Sequence, residues 1–362
     1  MKINFIKKYV VLAFVSAMFL FQSCQNDPDP VVKTGESGFF VVNEGGFGNS
    51  NSSLSFYDRK TNEVTNNVFA TKNGRPLGDQ AQSMTVFEGK GYIVVQNSSK
   101  VEVISVDDFS SVATISEGVP SPRYFLGISA TKAYVSDWGA DGLTGTVKVI
   151  DLSTNTVSKS IATGKGANRM LKVGALVYVA NAGGYGTDNT VKVIDTGTDA
   201  VIASVTTGDN PNSLQKDNDG NIWVASDGNE VYKPDFSIDE SKSTKGSISK
   251  ITSSNTEAKR FTVDQVSYSG PANLGISPEG TQIYYTFEGA LYSMSTTATA
   301  LPSAPFKTKD YYGLSVDPFN GNIIGCNAVN FSSAGTIDVY DATGTLLNTF
   351  TVGIAPNGCA FK

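Results

Sequence analysis

The sequence predicts an all-β protein, a seven-bladed β-propeller with four-stranded blades, and three observations support this. Residues 146–163 (TVKVIDLSTNTVSKSIAT) recur as residues 190–207 (TVKVIDTGTDAVIASVTT), 44 positions later. Each copy contains an alternating apolar and polar strand, a turn after aspartate, and a second strand. Shorter versions of this repeated unit recur along most of the chain. The strand patterns at the two ends of the chain complement each other. Repeats of roughly 40–50 residues with four strands each are typical of propeller blades.

The first position of the repeated strand occurs seven times. Successive copies are 47, 46, 44, 57, 43 and 46 residues apart, so only the interval between the fourth and fifth copies is long. That interval predicts an extended loop in the fifth blade, and loops of such length are often functional. The seven positions are Leu54, Val101, Val147, Val191, Ile248, Leu291 and Ile337.

Two further apolar runs precede each copy and complete a blade of four strands. One run stands directly before the repeated strand, and residues 176–181 are an example. The other is an inner run that begins near Pro, Asn or Gly, and residues 211–217 are an example. The first blade lacks the inner run, but residues 354–362 (IAPNGCAFK) match it. We therefore expect the C-terminal strand to complete the first blade, which removes an exposed sheet edge. The predicted propeller covers residues 38–362.

Residues 1–23 have the pattern of a secretory signal peptide. Three lysines precede an apolar run at residues 9–21, and Cys24 follows a small residue. The run is shorter than the roughly 20 residues of a membrane span, so an uncleaved anchor helix is the weaker alternative. The cysteine resembles a bacterial lipoprotein signal, which implies lipidation of Cys24 and attachment through acyl chains. Residues 24–37 are polar and interrupted by prolines, and are predicted to form a flexible tether.

The charge and the remaining cysteines narrow the class of protein. The chain carries 28 Lys and Arg against 34 Asp and Glu, a net charge of −6, and loss of residues 1–23 leaves 25 against 34, or −9. Nucleic-acid binding depends on basic residues against phosphate, so we expect no such partner. Cys326 and Cys359 lie in apolar strand patterns and are predicted to be buried thiols. A disulfide between the last and first blades is the alternative in an oxidising compartment.

Histidine is absent from the sequence. This excludes His-ligated zinc, iron or haem and a Ser-His-Asp triad. Residues 217–220 (DNDG) resemble the start of a calcium loop, but Gly228 stands where such a loop needs Glu. Asp-Gly between two strands is typical of a hairpin instead. We therefore predict no metal, no cofactor and no enzymatic activity, with a carboxylate-based lyase or lactonase as the remaining enzymatic alternative.

One face of the propeller is predicted to bind a ligand. The links into each inner strand and those between second and third strands emerge on the same side, and they are rich in aromatic residues, Arg, Asn and Gly. Rings that alternate with amide and guanidinium donors suit a large, partly apolar small molecule or a glycan. The three arginines among the candidates are interpreted as matching positions in successive blades. The predicted ligand-binding residues are Phe47, Arg75, Arg123, Tyr124, Trp138, Arg169, Tyr185 and Tyr312.

Two alternatives stay open for parts of this face. The Pro-Asn pairs at residues 211–212 and 356–357 are interpreted as turn formers that cap an inner strand. Trp138 equally fits a position packed between blades.

Residues 38–58 (GFFVVNEGGFGNSNSSLSFYD) and 73–84 (NGRPLGDQAQSM) resemble the YncE-like propeller lipoproteins of Bacteroidota, and within them the cobalamin-binding BtuG group. The resemblance implies a surface-exposed, lipid-anchored outer-membrane protein, and the acidic residues after Cys24 also resemble an export signal to the cell surface. It further implies capture of cobalamin or a related corrinoid and transfer to a TonB-dependent transporter of the BtuB type. An adhesion or surface-layer propeller that binds a glycan or protein is the alternative from another functional class.

Overall fold

A computed structural model describes residues 37–267 and 269–362. The predicted signal peptide, the lipidation site Cys24 and residues 24–36 of the predicted tether lie outside the described residues. Within the described ranges, no helix is long and apolar enough to cross a membrane.

Residues 37–267 and 269–362 form seven antiparallel sheets, as the repeats predict. The strands of the first two blades, with one short helix between them, are β1 (Gly38–Asn43), β2 (Ser53–Asp58), β3 (Glu63–Thr65), α1 (Val68–Asn73), β4 (Ala81–Phe87), β5 (Lys90–Val95), β6 (Lys100–Ser105) and β7 (Ser111–Ile115). The third and fourth blades contain β8 (Pro122–Ser129), β9 (Lys132–Asp137), β10 (Thr146–Asp151), β11 (Thr156–Ala162), β12 (Ala167–Val173), β13 (Leu176–Asn181), β14 (Thr190–Asp195) and β15 (Ala200–Thr206). The fifth and sixth contain β16 (Pro211–Lys216), β17 (Ile222–Ser226), β18 (Ser247–Ile251), β19 (Glu257–Thr262), β20 (Ala272–Ile276), β21 (Gln282–Phe287) and β22 (Ala290–Ser295). The seventh contains β23 (Gly313–Val316), β24 (Ile323–Asn327), β25 (Ala334–Tyr340) and β26 (Leu346–Ile354), and the chain ends with β27 (Pro356–Phe361).

The ring closes through both ends of the described chain. Strand β27 pairs with β1, so that Phe40 faces Ala360, and the first sheet has the order β27-β1-β2-β3. The backbone N–H of Lys362 donates to the carbonyl of Gly38 at 2.9 Å. The inner strands contact one another in the cyclic order β27, β4, β8, β12, β16, β20 and β23. The predicted closure is therefore confirmed.

The core lies between neighbouring blades rather than within one sheet. Strand β1 is buried along its whole length, because both of its faces pack against adjacent sheets. One apolar cluster joins Phe40 and Leu54 of the first blade to Ile93 and Ile104 of the second. This packing explains why the second strand of each blade is a continuous apolar run in the sequence. It also places the loops of every blade on one of the two faces of the ring.

Two features depart from a uniform repeat. The sequence analysis did not predict α1, which follows β3, buries Val68 and Phe69 and ends at Gly74 in the left-handed conformation. The sixth sheet has three regular strands, and its fourth is reduced to a bridge between Leu291 and Lys307.

The hairpin prediction is confirmed, and of the two cysteines predicted to be buried thiols, Cys326 is buried and Cys359 is not fully buried. The loop after β16 is a turn in which Asp217 accepts hydrogen bonds from the Asn221 backbone N–H at 2.8 Å and from Trp223 Nε1 at 2.9 Å. Both cysteines are free thiols.

Candidate functional site

The centre of the loop-rich face is a cavity of about 410 Å³ at the mouth of the channel. Six of the seven inner strands have a register irregularity near their first residues. A bulge of this kind leaves one residue out of the ladder and redirects its side chain. In the seventh blade, Tyr312 immediately precedes β23 and occupies the corresponding place. The seven residues line the mouth, and they are Gln82, Arg123, Asn168, Asn212, Asn273, Tyr312 and Asn357.

A buried carboxylate, Glu44, lies beside this ring of residues. It directly follows β1 and is only 5% exposed. Tyr312 Oη donates to Glu44 Oε2 at 2.8 Å, and Asn357 Nδ2 donates to the other carboxylate oxygen. Burial raises the pKa of Glu44 to about 7, while these two hydrogen bonds and the charge of Arg123 oppose the rise. The mouth therefore contains a carboxyl group that titrates near neutral pH.

Two arginines of the mouth stack on aromatic rings. The guanidinium of Arg123 lies 4.1 Å from the centroid of Trp138, and that of Arg169 lies 4.5 Å from Tyr124. Trp138 meets Tyr185 edge to face at 6.1 Å. Stacking of this kind fixes an arginine while leaving N–H donors free for other partners. Arg123 uses one of its donors on Gln96 Oε1.

The structure brings most of the predicted site residues together. Four of them line the mouth directly, namely Arg123, Tyr124, Arg169 and Tyr312. Trp138 and Tyr185 extend this cluster outwards, and Tyr185 is 77% exposed. Phe47 is 79% exposed on the β1–β2 loop and does not line the mouth.

The interpretation of Arg75, Arg123 and Arg169 as matching positions is wrong. In the fourth blade the residue equivalent to Arg123 is Asn168, and Arg169 corresponds to Tyr124. Arg75 follows α1 and pairs with buried Glu102 at 2.6 Å, away from the mouth. Because α1 inserts before the second blade, the residue equivalent to Arg123 is Gln82, at the irregularity of β4. Arg75 therefore contributes to the packing of the second blade and does not line the mouth.

The amides of the mouth were not predicted as a group. Asn212 and Asn357, interpreted as turn formers, lie at strand irregularities and direct their side chains to the mouth. Asn212 Nδ2 donates to Asp227 Oδ1 and to the carbonyl of Pro271, both at 2.9 Å. A position-by-position comparison of the inner strands would have indicated these residues, because a polar residue follows Pro or Ala in most of them.

A second and larger cavity, of about 860 Å³, adjoins the mouth over the sixth and seventh blades. The two cavities share the lining residues Asp227, Ala272, Asn273 and Tyr312, so they lie side by side on this face. Burial raises the pKa of Asp227, at the junction, to about 6. Among residues 37–267 and 269–362, no group of acidic or thiol side chains is arranged to hold a metal ion.

We expect the titration of Glu44 to make stability depend on pH. Since its pKa rises from 4.5 to about 7, the native state keeps a proton that the unfolded chain has released between these values. The free energy of unfolding should therefore fall as pH rises from 4.5 to 7. Glu44→Gln has no carboxyl group to ionise at this position, so it does not lose stability in this way as pH rises. At pH 8 its free energy of unfolding in denaturant titrations should exceed that of the wild type by roughly 1–3 kcal/mol.

The matched control is Glu63→Gln, which makes the same change on an exposed strand. Its stability should follow the wild-type pH dependence. Parallel curves for Glu44→Gln and the wild type would contradict the assignment of Glu44 as the titrating group.

The comparisons with known proteins agree with the propeller. A protein from Desulfotomaculum acetoxidans described as functionally unknown is 14% identical, with a TM-score of 0.65 over 90% of this chain and 99% of its own. A quinonprotein alcohol dehydrogenase-like protein from Bacteroides thetaiotaomicron is 17% identical, with a TM-score of 0.64 over 90% and 78%. A protein from Bacteroides uniformis, provisionally described as a 6-phosphogluconolactonase, is 11% identical, with a TM-score of 0.63 over 90% and 100%. Identities this low indicate a shared fold alone.

No curated protein matches the chain. The family model described as a domain of unknown function, DUF5074, matches residues 37–353. This match extends over nearly the whole propeller, and the protein belongs to the DUF5074 family.

Proposed function

We propose that the protein is a cell-surface lipoprotein that captures cobalamin or a related corrinoid at the loop-rich face and passes it to a TonB-dependent transporter. The observation that carries the proposal is the cavity of about 410 Å³ at the mouth, with the cavity of about 860 Å³ beside it; together they form a depression in the loop-rich face. Each of the two cavities has the volume of a drug-sized ligand site. No catalytic role is proposed for the residues of the depression.

The chemistry of the mouth supports a ligand rich in amides. A corrinoid carries carboxamide side chains around a flat ring system, and each carboxamide both donates and accepts hydrogen bonds. The mouth offers amide groups on Gln82, Asn168 and Asn273 and guanidinium donors on Arg123 and Arg169. Recognition then depends on hydrogen bonds and stacking, because a chain without histidine provides no imidazole ligand for cobalt.

The exposed apolar residues of the same face support a protein partner. The long β17–β18 link contains the bridges Asn229–Thr244 and Tyr232–Ile238, and Phe236 near its tip is 87% exposed. Exposed apolar side chains that gather in one patch with a polar rim are typical of interaction surfaces. Others on this face are Phe47, Leu143, Tyr185, Val329 and Phe331. The proposed transporter would dock here, over the bound ligand.

Calorimetric titration of the full chain with cyanocobalamin tests the proposal. We expect saturable binding at micromolar concentration or tighter, and comparable binding of cobinamide, which keeps the corrin amides but lacks the nucleotide. Absence of heat at micromolar cyanocobalamin would overturn the corrinoid assignment. Binding of an oligosaccharide in its place would favour the glycan-binding alternative, and turnover of a lactone that is lost in Asp227→Asn would favour the enzymatic one.

A further inference from the structure

The side cavity of about 860 Å³ differs chemically from the channel mouth. Its walls come from Ser267, Ser269 and Gly270, the start of the β17–β18 link, the β21–β22 turn, the segment before β23 and the β24–β25 loop. Its charged lining residues are Asp227, Glu288 and Asp310, and no Lys or Arg of the described chain lines it. The mouth shares Asp227 and has a second carboxylate, Glu44, but it also contains two arginines. The side cavity is therefore a separately charged compartment of the same face.

The carboxylates of the side cavity are not neutralised by the protein. Within residues 37–267 and 269–362, none of the three forms a salt bridge. Glu288 accepts a hydrogen bond from Gln265 Nε2 at 2.6 Å, and Asp227 accepts one from Asn212. They stand on separate walls and do not converge as metal ligands. This spread arrangement suits a diffuse positive charge better than a bare metal ion.

The β24–β25 loop adds an apolar wall. Val329 and Phe331 both adopt the left-handed backbone conformation, with φ of 58° and 60°, and are 59% and 51% exposed. A β-branched residue in this conformation is strained, and such strain clusters at ligand clamps. Asn327 Oδ1 accepts from the Val329 N–H at 2.9 Å and helps to hold the loop. The Phe331 ring meets Tyr312 edge to face at 4.9 Å.

We propose that the side cavity is a binding site for an organic cation, an ammonium group on an apolar or aromatic body. The carboxylates would hold the charge, and the rings of Phe287, Phe331 and Tyr312 would contact the body and add cation–π attraction. An organic anion of the same shape would be repelled. The inference does not depend on cobalamin being the ligand of the mouth.

The test uses the full chain and three probes of similar size, namely phenethylammonium, phenethyl alcohol and phenylacetate. We expect saturable binding of phenethylammonium in calorimetry, weaker binding at higher salt because the charges are exposed, and no binding of phenylacetate. The double variant Glu288→Gln/Asp310→Asn should lower the affinity for phenethylammonium about tenfold. This is the loss expected when two partly exposed charge contacts are removed. Phe331→Ala should lower the affinity as well.

The matched control neutralises two carboxylates on the opposite face of the same two blades, in the variant Glu279→Gln/Asp341→Asn. It should bind phenethylammonium as the wild type does. Equal binding of phenylacetate, or unchanged affinity in Glu288→Gln/Asp310→Asn, would overturn the proposal. A failure of cyanocobalamin to bind would leave this result unaffected, so the two proposals fail separately.

Discussion

Arg123→Ala should reduce the affinity of the mouth for its ligand about 100-fold. Arg123 lies at the strand irregularity of β8, is held by Trp138 and Gln96, and presents its charge to the centre of the ring. A hydrogen bond to a charged donor in a buried site contributes about 1.5–3 kcal/mol, and the upper part of this range corresponds to 100-fold. The substitution also removes the cation that faces Glu44, so the pKa of that carboxyl should rise further.

Calorimetry with cyanocobalamin measures the affinity, and a thermal melt verifies that the variant is folded. Arg260→Ala is the matched control, because Arg260 lies on an outer strand in an exposed pair with Glu257. Its affinity should be unchanged, and its stability should change by less than about 1 kcal/mol. A folded Arg123→Ala protein with wild-type affinity would contradict the placement of the ligand at the mouth.

Deletion of residues 356–362 should prevent cooperative folding. These residues form β27, which pairs with β1 and contacts β4 and β23 on its two sides. Without them the first blade loses its inner strand, and the edge of β1 is left unpaired. We expect loss of most of the roughly 5–15 kcal/mol that typically stabilises a domain, seen as a missing thermal transition in circular dichroism.

A point variant keeps this prediction measurable if the deleted chain is insoluble. Ala360→Asp places a charge at a position that is 5% exposed and should lower the melting temperature strongly. Ala130→Asp makes the same substitution at an exposed turn position and should have a small effect. A deleted chain that melts at the wild-type temperature would show that closure contributes little to stability.

The repeats were sufficient to predict the ring, because each copy has to bury its apolar faces against a neighbour. The positions Leu54 to Ile337 all begin or lie within third strands of their blades. Helix α1 was missed because its six residues are too few to show a helical period, and its burial comes from contacts with the first blade. The weak fourth strand of the sixth blade was missed because the apolar pattern there is not distinct.

The candidate site was predictable in its location but not in its detail. Aromatic and arginine residues in the links indicated the face on which the two cavities lie, and Arg123 and Tyr312 of the mouth were among the predicted residues. Glu44 was not identified as functional, because its burial depends on residues that are distant in sequence, Tyr312 and Asn357. Arg75 was misplaced because a short insertion shifts the alignment of the second blade by about seven residues relative to Gln82.

The strand irregularities have a consequence for how such a scaffold diversifies. At each irregularity, a residue left out of the strand pairing contributes its side chain to the mouth. The residues before and after it in the strand still pair with the neighbouring strand. Exchanging that side chain changes what the centre of the disc recognises without altering the sheets. Under the proposed function, a frame with one such variable position in six of its seven blades could change its specificity one substitution at a time.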